Sequence, residues 1–270
     1  MLSKKLLYII ALAILVTSCS SYQKALRSDD VGMKYKMAEG FYKKGDYQRA
    51  APLYDALVPL YKGTAEGEMI YFKYADCYYH LGDYMLSAYH FKYFAESFPL
   101  SSKSEEAFYM YAYSLYQESP AIDLDQSSTK KAVDAFQLFI DKYPSSKRVE
   151  QCNKLIDELN AKLEQKQLNN AMLYFNIMDY KSATWALKQY LTDYPNSSQR
   201  EEIEFNIVQS AFFLAKNSVE RKREERYLNT LQYCTDFKDK YPKSKFTKAV
   251  EVINNQSNIN IQKLKAKLHD

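Results

Sequence analysis

Residues 68–99 constrain the fold of this chain most strongly, because they have the spacing of one complete helix-turn-helix unit. Ala75 and Ser87 are small enough for two antiparallel helices to approach closely, Gly82 opens the turn between them, and Pro99 stops the second helix. One such pair cannot bury its own apolar face, so neighbouring pairs must stack on it. The stretch therefore predicts a stacked array of helix pairs.

The same spacing recurs before and after this stretch, and the pattern is similar to the tetratricopeptide repeat. Ala38, Ala75 and Ala112 stand at equal intervals, and a loop-like insert over residues 118–128 follows in the third repeat. Extra helix-forming residues precede the fourth repeat, so residues 146–177 are predicted to form one helix of roughly 45 Å. The sequence thus predicts an all-α fold, an α-solenoid of five tetratricopeptide-like helix pairs plus a C-terminal capping helix over residues 245–269.

Most repeats end in an aromatic residue and Pro, followed by Ser. We expect the Pro to stop one helix and the Ser to cap the next.

The N-terminus has the features of a lipoprotein signal peptide, assigned to residues 1–18. Two Lys residues precede an apolar run over residues 6–16, which is shorter than the about 20 residues that span a bilayer. The small residues before Cys19 resemble a bacterial lipobox, which implies cleavage before Cys19 and its acylation, with palmitate among the chains. A plain signal peptide that ends near a Cys is the alternative.

Residues 19–30 would then form a lipidated tether to a membrane. No acidic residue directly follows Cys19, which by analogy with lipoprotein sorting indicates an outer-membrane anchor with the body facing the periplasm.

The composition favours a helical core and argues against binding to nucleic acid. Apolar residues make up 47% of the chain, and the formal net charge is only +4. Cys77, Cys152 and Cys234 fall on separate predicted helix pairs, so we interpret them as buried small hydrophobic residues.

We find no pattern typical of an enzyme, a metal site or a bound cofactor. His80, His90 and His269 have no spacing that would gather three ligands, and no glycine-rich loop follows a strand. Asp123 and Asp125 lie in a polar loop, where solvated or capping carboxylates are expected.

The chain contains 26 Tyr, more than a core requires. In a stack of this type the first helix of each pair lines a groove, and its groove-facing positions lie three residues before and four after the Ala75-type position. Aromatic residues at these positions give large contact areas at low entropic cost. The candidates for a groove that binds an extended, aromatic-bearing peptide are Tyr35, Tyr42, Phe72, Tyr79, Tyr109 and Tyr116. Packing of the same rings against the next repeat is the alternative.

A charged run over residues 217–226 is a second candidate site. Its basic members, interleaved with Glu, are Arg221, Lys222, Arg223 and Arg226. Such a run is typical of a solvated helix face, and a salt-sensitive contact with a protein partner is the alternative.

Three segments resemble the BamD family, lipoproteins of the outer-membrane β-barrel assembly machinery: FYKKGDYQRAAPLYDALV, LDQSSTKKAVDAFQLFIDKYPSSK and YLTDYPNSSQ. The resemblance implies a non-enzymatic subunit without a cofactor. It also implies that residues 31–145 receive unfolded β-barrel precursors and that residues 146–270 bind BamA, with other assembly lipoproteins as further partners.

Two other functions compete with this interpretation. A periplasmic adaptor for cell-wall or division proteins would share the repeats and the anchor. A surface lipoprotein that binds glycans would stack its Tyr rings on sugars.

Overall fold

The computed structural model describes residues 21–266, and every regular element in that range is a helix. A short helical segment over residues 21–27 precedes eleven longer helices. These are α1 (Val31–Lys43), α2 (Tyr47–Leu57), α3 (Ala65–His80), α4 (Tyr84–Ser97), α5 (Ser104–Gln117), α6 (Ser127–Lys142), α7 (Val149–Asn176), α8 (Tyr180–Asp193), α9 (Arg200–Lys216), α10 (Glu220–Lys240) and α11 (Thr247–Ala266). The predicted five helix pairs and final capping helix are confirmed.

The turn within a pair uses a residue in the left-handed region followed by an aspartate. Gly45 and Gly82 have φ values of 72° and 78°, which glycine adopts without steric cost. Asp46 and Asp83 are the N-caps of α2 and α4, and each side chain accepts a hydrogen bond from a backbone N–H in the first turn. The fourth repeat places Met178, with φ 64°, at this position.

The Ser residues after the aromatic-Pro endings do not cap the following helices as predicted. Each hydroxyl accepts a bond from the backbone N–H two residues further on, at 2.9 to 3.4 Å, which closes a tight turn before the helix begins. The residues concerned are Ser101, Ser146, Ser197 and Ser244. The N-caps of α5 and α9, Lys103 and Gln199, make no capping bond through their side chains.

The insert of the third repeat is a loop between α5 and α6, as predicted, and Gln126 organises it. Its amide Nε2 donates to the carbonyl oxygens of Ala121, Ile122 and Leu124 at 2.9, 3.3 and 3.0 Å. Its Oε1 accepts from the Thr129 hydroxyl at 2.7 Å. One buried side chain therefore provides hydrogen bonds for three carbonyl groups of the loop.

The described helices divide into two compact units, with the boundary between Asn160 and Ala161 inside α7. The long helix predicted over residues 146–177 is confirmed as α7, whose 28 residues span about 42 Å. The first unit holds two core clusters, which include the fully buried Tyr54, Phe91, Phe94, Phe136 and Phe139. In the second unit, Leu187, Ile203 and Phe237 are among the most buried side chains.

Within residues 21–266, no helix combines the length and apolar character needed to cross a bilayer. The signal peptide over residues 1–18 and the acylation site Cys19 lie outside the described residues.

His90 is enclosed by tyrosine rings within the second repeat. Its ring centroid lies 4.7 to 5.7 Å from those of Tyr71, Tyr74, Tyr78 and Tyr89, and its Nδ1 is 2.9 Å from the Tyr71 hydroxyl. Burial lowers the pKa of His90, although Asp55 and Asp83 partly oppose this shift. The folded protein therefore favours the neutral form of this imidazole.

We expect the free energy of unfolding to fall as the pH drops through about 6.5, the ordinary pKa of histidine. In this pH range the unfolded chain binds a proton at His90 more readily than the folded chain does. The total loss of unfolding free energy is about 1.4 kcal/mol for each unit by which the pKa of His90 is lower in the folded chain than in the unfolded chain. Urea titrations between pH 5 and 8 measure the effect. His90→Phe should flatten this part of the profile, and an unchanged slope in that variant would contradict the assignment.

Candidate functional site

The first unit carries a continuous row of aromatic rings across its three repeats, which we call the aromatic ladder. Its members come from the end of α1, the start of α2, the end of α3 and the second half of α5: Tyr42, Tyr47, His80, Tyr79, Tyr113 and Tyr116. Successive centroids are separated by 5.6, 4.2, 5.6, 6.1 and 5.6 Å. These separations fall within the usual range for interacting aromatic pairs.

Three of the six predicted groove residues belong to the ladder: Tyr42, Tyr79 and Tyr116. All three are half-buried, so part of each side chain remains accessible. Tyr35 is also half-buried, but its ring lies 6.3 Å from Tyr61, next to the core of the first repeat. The position four residues after the Ala75-type alanine therefore predicts the ladder in all three repeats.

The prediction of a groove-facing side chain is wrong for Phe72 and Tyr109, which are only 7% and 4% exposed. Phe72 packs edge-on against Phe91 and Phe94 of the partner helix, at 5.3 and 5.6 Å. Tyr109 lies 5.8 Å from Phe139 in the same way. In the second and third repeats, the position three residues before the alanine thus faces the seam within the helix pair.

Sequence reasoning missed Tyr47, His80 and Tyr113 as members of the ladder. Tyr47 is the residue after a Gly-Asp turn, and its ring stacks on His80 at 4.2 Å with an interplanar angle of 9°. Tyr113 directly follows Ala112, the Ala75-type alanine of its repeat, and stacks with Tyr116 at 18°. The Gly-Asp-Tyr pattern could have indicated Tyr47, because it places the same residue type at the same turn in the second repeat.

Carboxylates fix two ladder hydroxyls. The Tyr42 hydroxyl donates to Asp76 at 2.6 Å, and His80 Nε2 lies 3.3 Å from the same carboxylate. The Tyr116 hydroxyl donates to Glu158 at 2.7 Å. Burial and the bond to Asp76 raise the pKa of Tyr42, and the bond to Glu158 together with burial raises that of Tyr116 to about 12. These phenols stay neutral and their rings are held in place, which favours stacking contacts with a ligand.

The second unit exposes several large apolar side chains around the turn between α7 and α8, which we call the repeat-four patch. It consists of Leu173, Tyr174, Ile177, Met178 and Trp185. Trp185, the single tryptophan of the chain, is 70% exposed, and Met178 is 71% exposed. Tyr174 and Trp185 line a shared cavity of about 260 Å³. A group of large exposed apolar residues of this kind is typical of a protein contact surface.

Met178 adopts the left-handed conformation that glycine adopts at the equivalent turns of the first two repeats. The left-handed region costs a residue other than glycine about 1 to 2 kcal/mol, and the equivalent turns of the first two repeats use glycine. The exposed Met178 side chain contributes little burial in return. Such strain often persists where function needs the side chain.

Comparison with known proteins identifies the family. The model of the YfiO family, described as outer membrane lipoprotein, matches residues 28–177, which is more than half of the chain. The chain belongs to this family of outer membrane lipoproteins. The match confirms the resemblance to the BamD family, and it contains the whole aromatic ladder and the α7 residues of the repeat-four patch.

Other comparisons add little detail for this outer membrane lipoprotein. A structure of the TPR2AB domain of yeast Sti1 in a complex with pHSP90 has a TM-score of 0.38 and 11% sequence identity. It covers 84% of this chain and 98% of its own. A search of curated proteins gives no significant match. The repeat architecture therefore rests on the helices themselves.

The charged run lies at the start of α10, outside the matched residues. Arg223 Nε donates to the Ser218 carbonyl at 2.7 Å, and Arg226 donates to the Ser218 hydroxyl, so these two residues hold the loop before the helix. Arg221 and Lys222 are exposed. Of the four predicted partner-contact residues, two therefore have a structural role.

The cysteine thiols and the possible metal ligands were compared with the requirements of a reactive thiol and of a metal site. Cys77, Cys152 and Cys234 are free and buried, as predicted, and burial raises the pKa of Cys77 to about 12 and of the other two to about 11. Protonated thiols of this kind are poor nucleophiles. Across residues 21–266, His, Cys, Asp and Glu side chains form no group of three that could hold a metal ion.

Proposed function

We propose that this outer membrane lipoprotein is a non-enzymatic assembly factor for β-barrel proteins of the outer membrane. In this account Cys19 anchors it by acyl chains and its body faces the periplasm. Residues 31–145 bind unfolded β-barrel precursors, and residues 146–270 bind the BamA-type β-barrel subunit and other assembly lipoproteins. The family match supports the membrane location, and two surfaces support the two binding roles.

The aromatic ladder is the single observation that carries the proposal. It runs across three repeats, so a ligand along it would be extended rather than compact. Its rings provide stacking surfaces, and Asp76 and Glu158 hold the hydroxyls of Tyr42 and Tyr116. An extended chain with aromatic side chains fits such a surface, and an unfolded β-strand segment has this form.

The repeat-four patch is the better candidate for the contact with the β-barrel subunit. It offers an exposed tryptophan, Trp185, together with exposed aliphatic residues, and tryptophan is enriched in binding hot spots. The exposed pair Arg221 and Lys222 remains a candidate for a salt-sensitive contact at the rim.

Affinity purification of the acylated protein from native outer membranes, followed by mass spectrometry, tests the partner. We expect a large β-barrel protein with periplasmic repeat domains in roughly equal amount. Recovery of cell-wall or division proteins instead would favour the adaptor function.

Two variants of the repeat-four patch make this test specific. Trp185→Ala should lower recovery of the β-barrel subunit by at least about tenfold, because a hot-spot aromatic contributes about 2 kcal/mol or more. Met178→Gly should stabilise the fold by about 1 kcal/mol and still weaken the complex. Val252→Ala, an exposed residue on α11, is the control and should bind normally. Equal recovery with all three variants would exclude the patch.

A further inference from the structure

A cavity of about 420 Å³ lies in the first unit, where the loop after α2 meets the start of α3 and the end of α4. Its volume falls in the range of about 300 to 1,000 Å³ that holds small ligands. Its lining includes one aliphatic residue, four aromatic residues and one lysine: Val58, Tyr61, Tyr71, Tyr93, Phe98 and Lys62. It is separate from the aromatic ladder, since none of these residues belongs to the ladder.

The walls of this cavity are fixed by local bonds. The Tyr71 hydroxyl pairs with His90 Nδ1 at 2.9 Å, and the Tyr71 and Tyr93 rings lie 5.1 Å apart. At the start of α3, the Thr64 hydroxyl donates to the Tyr61 carbonyl at 2.8 Å and accepts from the Gly67 N–H at 3.0 Å. The cavity is therefore formed before any ligand binds, which lowers the entropic cost of binding.

The charge at the cavity is positive and comes from a single lysine. Among the described residues that line it, Lys62 alone is charged, and Glu66 and Glu68 of the first turn of α3 are not among them. Lys62 also departs from the repeat pattern, because the other four repeats have Pro at this position.

We propose that this cavity binds the acyl chain of a long-chain fatty acid, with the carboxylate paired to Lys62. The aromatic and aliphatic walls suit a chain without polar atoms, and Lys62 supplies the one complementary charge. A peptide fits less well, because its backbone N–H and C=O groups need partners that mainly apolar walls do not offer. A protein at a membrane meets such amphiphiles in its surroundings.

Calorimetric titration with laurate below its micelle concentration tests this site. The protein is the mature chain with Cys19→Ser, which avoids both acylation and detergent. We expect saturable binding of one laurate per chain, about tenfold weaker binding after Lys62→Ala, and much weaker binding of dodecanol. Ser97→Phe, which fills the cavity from α4, should abolish binding. Leu138→Ala, an exposed residue on α6 that does not line the cavity, is the control and should bind laurate normally.

Three results would overturn the proposal: no saturable binding of laurate, laurate binding that Ser97→Phe leaves unchanged, or equal affinity for laurate and dodecanol. Binding to anionic vesicles without binding to free laurate would show a lipid surface instead of a fatty acid, and would also overturn it. Circular dichroism of each variant establishes that it is folded. None of these results depends on the β-barrel subunit or on precursor proteins.

Discussion

Gly67→Ala is expected to lower the free energy of unfolding by about 3 kcal/mol, which is a large effect for the addition of one methyl group. Gly67 lies in the first turn of α3, where the loop after α2 passes very close to the helix. A Cβ at this position would lie 2.0 Å from the Tyr61 carbonyl oxygen and 2.9 Å from its carbon. These are backbone atoms, so the loop itself must move and the Thr64 capping bonds must break.

Gly40→Ala is the matched control. Gly40 is also helical, but a Cβ there would meet no atom within 4 Å. Alanine should therefore stabilise α1 by about 0.5 to 1 kcal/mol, because it restricts the unfolded chain. Urea unfolding of both variants measures the difference. If Gly67→Ala were as stable as the parent protein, the close approach of the loop to α3 would be wrong.

Loss of precursor binding on truncation of the ladder is the second large effect. The double variant Tyr79→Ala and Tyr113→Ala removes the two rings that join the second and third repeats at 6.1 Å. We expect the affinity for a peptide from the terminal strand of a β-barrel precursor to fall by about 10- to 100-fold, because central aromatic residues dominate such contacts. Fluorescence anisotropy of a labelled peptide measures the change.

The free energy of unfolding of these variants distinguishes a role of the ladder in peptide binding from a role in packing the repeats. Both rings are half-buried, so the double variant should lose less stability than Phe72→Ala, a core deletion that costs about 3 to 5 kcal/mol. Tyr89→Ala, which is exposed on α4 away from the ladder, should leave peptide binding unchanged. Unchanged affinity of the ladder variant, accompanied by a large loss of stability, would show that the rings serve only to pack the repeats.

The repeat architecture could be predicted from sequence because its signals are local. Gly45 and Gly82 before a capping Asp, and Pro after an aromatic residue, fix where helices begin and end. The single helix α7 also followed from helix-forming residues without a Gly or Pro. These features depend on neighbours within a few positions along the chain.

The binding surfaces could be predicted only in part, because exposure depends on the helix that packs against each face. Register alone placed Phe72 with Tyr79, but Phe91 and Phe94 cover Phe72 and leave Tyr79 accessible. The exposure of Trp185 likewise could not be predicted from neighbouring residues in the sequence. It depends on whether another helix packs against that face of α8.

Site-specific photo-cross-linking in growing cells is the most direct test of the central claim that the aromatic ladder receives β-barrel precursors. A photoreactive phenylalanine replaces Tyr113 in one strain and the off-ladder Tyr89 in another. The account predicts cross-links from position 113 to unfolded β-barrel precursors during their synthesis, and few or none from position 89. Equal labelling from both positions, or no precursor adduct at 113 in cells where the β-barrel subunit still co-purifies, would contradict it.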